Sequence, residues 1–122
     1  MSSDHSSESD DIVCKTAFLK DTIEELASYI ATCEAWVTMQ CRVVPDFEDK
    51  TILESLINDV TEYIHGCKIL RVHIELILRF HSHLLFIAEW QYVRSRCRAL
   101  ELAMESLDWR CDNAGVPIID LA

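Results

Sequence analysis

The stretch Ile69–Trp90, ILRVHIELILRFHSHLLFIAEW, carries fourteen apolar residues in twenty-two positions, and its polar residues are not scattered. Lys68, Arg71, Glu75, Arg79 and Ser82 follow one another at steps of three, four, four and three, which traces one narrow stripe along a helix. The remainder of that helix's surface is expected to be covered. Arg71, Glu75 and Arg79 set opposite charges four residues apart, a ladder worth ~0.3 kcal/mol per pair, and their density argues against a membrane span. Beyond Ser82 the same line meets Phe86, Glu89 and Val93. The helix therefore either breaks near Ser82 or is wrapped from all sides by a partner.

Upstream and downstream, apolar residues recur at the threes and fours of a helical seam. A first helix, from about Asp11 to Arg42, carries Leu19, Ile23, Leu26, Ile30, Cys33 and Val37, with Trp36 and Met39 widening the apolar face. Pro45 ends it, since proline lacks an amide donor and disfavours a helical residue before it. Asp46, Asp49 or Thr51 is expected to cap the restart, with Thr51 and Glu54 spaced as a capping box. The seam resumes at Leu53, Ile57, Val60, Ile64, Cys67, Leu70, Ile74, Ile77, His81, Leu84 and Ala88, then shifts register to Val93, Cys97, Leu100, Met104, Leu107 and Cys111. Asn113, Gly115 and Pro117 come in the order of a helix terminator. A break at Ser82 gives three helices, near 11–43, 47–80 and 83–112, matched in length as an antiparallel bundle requires. A break at Gly66 leaves a last helix of about 69 Å.

Composition supports the all-helical reading. Half of the 122 residues are hydrophobic, whereas glycine and proline number two each, too few for the turns of sandwiches, barrels or alternating strand-and-helix folds. The fold class is thus all-α, an antiparallel helical bundle of about three long helices with coiled-coil-like seams. The formal charge of -10 is uneven: residues 1–66 hold four Lys/Arg against fourteen Asp/Glu, and residues 67–122 hold seven against seven. An acidic first half lying against a mildly basic central helix is the simplest account, and the overall acidity argues against nucleic acid.

Residues 1–11, Ser-, Asp- and Glu-rich, are expected to form a disordered acidic tail, residues 12–113 the bundle, and residues 114–122 an extended C-terminal tail. Ser7 and Ser9 stand in an acidic setting that suits acidophilic kinases. The start MSSDHSSESDD lacks a secretory pattern, so the six cysteines are expected to be thiols in a reducing intracellular compartment, with the nucleus favoured over the cytoplasm.

No constellation supports catalysis or a cofactor. Nucleophile elbow, phosphate loop, CxxC and HxxxH are all lacking, and His65, His73 and His81 advance by eight residues, about 80° out of register on a helix, so no metal site is expected. Arg94 and Arg98 share a helical face with Glu101 and are expected to be a solvated, salt-bridged surface.

The expected function is therefore a non-enzymatic helical interaction or scaffold subunit, assembling with itself or a protein partner through its helices, with Phe86, Trp90 and Val93 as the spare apolar surface. An alternative rests on Val116, Pro117, Ile118, Ile119, Asp120 and Leu121, a β-branched run placed after the helix terminator. It resembles a SUMO-interacting motif, in which apolar side chains fill a groove beside an acid. Pro117, Ile119 and Leu121 at alternate positions also resemble the PxVxL pentapeptide read by the HP1 chromoshadow dimer. Either resemblance implies a nuclear adaptor whose tail docks as a β-strand on SUMO or an HP1-type partner. The competing expectation is that this segment folds back over the end of the bundle.

Overall fold

Three long helices follow from three apolar seams separated by two interruptions. The computed structural model describes residues 3–80 and 83–121, with side chains for 11–80 and 88–121. α1 spans Ser3–Val43, α2 Lys50–Phe80 and α3 His83–Asn113, with a single 3-10 turn at Val44–Asp46 between the first two. There is no strand among the described residues. The molecule is an all-α bundle in which α1 and α3 both pack along α2. Asp59 pairs with Arg110 and His73 with Glu89, so residue numbers rise along α2 as they fall along α3, and the two run antiparallel.

The central stretch Ile69–Trp90 is not one helix. α2 passes through Gly66 without breaking and ends at Phe80, and α3 starts at His83. His81 and Ser82 lie outside the described residues. Two 31-residue helices, each about 46 Å long, can fold against each other and cover both seams, which a single 69 Å rod cannot. Gly66 has a packing reason instead: a Cβ there would stand 3.3 Å from the Leu100 Cδ2 atom of α3. The start of the first helix also moves, from the expected Asp10 or Asp11 to Ser3.

Of the three candidate caps for α2, Asp49 takes the role. Its Oδ1 accepts the Ile52 amide at 3.3 Å, so the Thr51–Glu54 capping box is not the one in use. The seams are buried much as their spacing requires: Leu19, Leu53, Val60, Cys67, Ile74, Val93 and Cys111 are wholly inaccessible, joined by Leu56 and Tyr63. Burial, without compensating charge, pushes the Cys33 thiol up to about 12 and that of Cys67 to about 11, holding both protonated. All six cysteines are unbridged; Cys33, Cys67 and Cys111 act as small core side chains, while Cys14 and Cys41 are exposed.

α3 ends in a Schellman motif. The Val116 amide donates to the Cys111 carbonyl at 2.9 Å and the Gly115 amide to the Asp112 carbonyl at 3.2 Å, with Gly115 at φ 71°, a left-handed conformation that only glycine adopts cheaply. This turn sends residues 116–121 back over the bundle. Trp36 Nε1 donates to the Pro117 carbonyl at 2.8 Å, the Ile119 amide donates to Asp108 Oδ1 at 3.3 Å, and Val116 and Ile119 are buried in the core. No helix among the described residues is long and apolar enough to cross a membrane.

Candidate functional site: the cleft between α1 and α3

α1 meets α3 near the start of α3 and meets the returning tail beyond its end. Near the start of α3, Phe18 meets the Trp90 ring edge-to-face at 5.1 Å, with Lys15 and Arg94 against the indole at 5.4 and 5.6 Å. Near its end, the returning tail ties Trp36 to Pro117. Between these clasps the helices stand apart and leave a cleft of about 280 Å³. Leu26 and Tyr29 of α1 form one wall and Leu100 and Met104 of α3 the other, with Tyr63 of α2 as floor and Leu121 at the tail end. The opening explains why Cys97 and Leu100 are only half-buried although they lie on the α3 seam.

The rim is acidic. Glu25, Glu101, Glu105 and Asp108 line the cleft, and among the described residues no lysine, arginine or histidine does, although Arg98 pairs with Glu101 from outside the lining. Their field is felt by neighbouring groups: burial raises the Tyr29 hydroxyl above its ordinary range, and the carboxylates of Glu25 and Glu101 add to the rise. Burial also raises the Asp108 carboxyl, an effect that the Ile119 amide partly offsets. Thr22, buried at the cleft edge, donates to the Phe18 carbonyl one turn earlier at 2.7 Å, so its hydroxyl is satisfied within α1. The result is a concave apolar surface under negative potential, suited to apolar side chains carried by a cationic scaffold.

No protein-family model, no curated protein and no solved structure matches this chain.

Of the partner surface expected at Phe86, Trp90 and Val93, the structure places two members, and Val93 is not available to a partner. Val93 is wholly buried in the core, and Trp90 is half-buried with its ring against Phe18 of α1. The Phe86 side chain lies outside the described residues. The tail is not a free strand either. Val116 and Ile119, whose side chains a docked strand would present, are core residues, the Pro117 carbonyl is bonded to Trp36, and Leu121 lines the cleft; Ile118 and Asp120 point outward. Of the central histidines, His65 is exposed and His73 bonds Glu89, and no cluster of three metal-ligating side chains occurs among the described residues. Arg98 pairs with Glu101 at 3.2 Å, whereas Arg94 lies over the Phe18 and Trp90 rings.

The acidic rim did leave a trace in the sequence. Glu101, Glu105 and Asp108 follow at four and three, one position behind the seam residues Leu100, Met104 and Leu107. Like charges at that spacing cost an isolated helix a few tenths of a kcal/mol, so a row of three beside an apolar seam marks an edge with a use beyond helix stability.

Proposed function

We propose that this chain is a non-enzymatic helical interaction subunit that receives a partner helix between α1 and α3. The occupant is an amphipathic helix with a basic flank: apolar side chains at i, i+3 or i+4 and i+7 reach Tyr63, Leu100 and Met104, and Lys or Arg beside them meets the carboxylate rim. One observation carries this reading, an open apolar cleft whose lining holds four carboxylates, of which Glu101 is paired with Arg98, and among the described residues no cationic side chain. Charge of one sign around an apolar trough selects partners more by repelling the wrong flank than by adding affinity.

The test uses two synthetic eighteen-residue helices with identical leucine faces, one flanked by lysine and one by glutamate. Fluorescence anisotropy of each is read against the full chain. Lysine-flanked peptide binding at least tenfold tighter than the glutamate-flanked one, and weakened as much by Glu101→Lys with Glu105→Lys, is the expected result. Equal binding of both peptides, or binding indifferent to the two substitutions, overturns the proposal.

A further inference from the structure

The outer face of α2 has the chemistry that the cleft asks for. Ile69, Val72, Leu76 and Phe80 follow at three, four and four, and all are at least half exposed, Phe80 at 69%. Lys68, Arg71 and Arg79 run along one edge of this row; Lys68 pairs with Glu34 at 3.7 Å and Arg71 with Glu75 at 3.4 Å, both exposed pairs that leave the edge net basic. α2 therefore carries apolar side chains on both sides: Tyr63 points into the cleft, and Val72, nine residues on and so half a rotation away, points out of the opposite surface. The molecule has an apolar trough with an acidic rim on one side and an apolar ridge with a basic edge on the other.

We propose that the cleft of one copy is filled by the α2 ridge of a second copy, so that the chain assembles head to tail. This rests on the reading of the cleft as a helix receptor and names its occupant. Two features favour a ridge-in-cleft contact over ridge on ridge. The ridge's basic edge meets the carboxylates of Glu25, Glu101, Glu105 and Asp108, whereas two ridges paired antiparallel set basic edge against basic edge. The cleft, moreover, stays empty in a ridge-to-ridge dimer. A contact between two different patches leaves one of each unpaired at the ends, so assembly continues until a ring closes or remains an open chain.

The experiment is the solution mass of the full-length chain by light scattering under reducing conditions, across concentration. The ridge variant Val72→Glu with Leu76→Glu and the cleft variant Glu101→Lys with Glu105→Lys alter exposed residues, and circular dichroism checks that helicity is kept. Wild-type mass is expected to climb with concentration beyond a dimer, and each variant alone to stay at 14.1 kDa. An equimolar mixture of the two variants is expected to form a closed dimer, because one retains its ridge and the other its cleft. A wild type monomeric at every concentration overturns the proposal, as does a cleft variant that still self-associates. The lysine-flanked peptide separates the two failures: its binding to a monomeric wild type leaves the cleft reading standing and removes only the second copy as occupant.

Discussion

Residues 116–121 and the outer face of α2 are both rich in branched aliphatic side chains, yet they end in opposite environments. Val116 and Ile119 keep 5% and 3% of their surface in solvent; Ile69, Val72 and Leu76 keep half or more. Hydrophobicity alone does not decide which is covered. The tail is covered because Gly115 turns it onto a site where Trp36 offers a donor and Asp108 an acceptor, so its backbone polar groups are satisfied as its side chains are buried. The α2 face carries no such cover among the described residues: Ile69, Val72 and Leu76 stay exposed, while Leu70, Ile74 and Ile77 of the same helix are buried. Burial in a small helical protein follows from which elements the connections bring round.

Removing the covered region has the largest expected effect. Deleting residues 116–122 is expected to cost about 3–5 kcal/mol from the lost burial of Val116 and Ile119, read as a lower urea midpoint. Trp36→Ala should cost a similar ~3–5 kcal/mol, and Trp36→Phe about 1 kcal/mol for the lost hydrogen bond to Pro117. A deletion that leaves the midpoint unchanged shows the tail to be loosely held and returns it to the role of a recognition strand.

Alkaline titration sharpens the contrast between enclosed and open groups. Cys33 and Cys67 hold their protons in the fold up to about 12 and 11, while in the unfolded chain thiols release them near 9. Their contribution to stability is thus complete below pH 9 and is lost as the pH rises through 11 and 12. Urea midpoints should fall over that window, and Cys33→Ala with Cys67→Ala should flatten the fall although it lowers stability at neutral pH. An unaltered slope in the double variant assigns the alkaline loss to other groups, Tyr63 first, whose hydroxyl burial also raises.

On the open face the expected effect is smaller. Leu76→Glu should change monomer stability by no more than about 0.5 kcal/mol while abolishing concentration-dependent mass. A loss of several kcal/mol there means that the ridge is covered within the chain. Gly66→Ala is expected to be nearly neutral, because a gain of about 1 kcal/mol in helix propensity is offset by pushing back the flexible end of Leu100, 3.3 Å from the new methyl. A clear stabilisation shows that Leu100 moves aside at no cost.

Much of the bundle was legible residue by residue. Threes and fours marked the seams, Pro45 the first interruption, and Asn113-Gly115-Pro117 the end of α3, because each acts within a turn or two of chain. Between Gly66 and Ser82 the pattern was silent. An apolar run on both sides of α2 reads as complete burial, and only the packing shows that one side holds the core and the other faces solvent. The candidate site was legible in part: Glu101, Glu105 and Asp108 stand out as a like-charged row, but nothing local connects them with Glu25, seventy-six residues away from Glu101.

By itself, then, the sequence determined that the chain is helical, where each seam runs and how α3 stops. Those are consequences of periodicity and backbone preference, which act over a few residues. Only the tertiary structure decided that the tail is core, that Val93 is inside, and that α1 and α3 part to leave an acid-rimmed cleft opposite an uncovered ridge. Those depend on the directions in which a handful of turn residues send the helices, and a helix carries no local record of which neighbour will come to cover it.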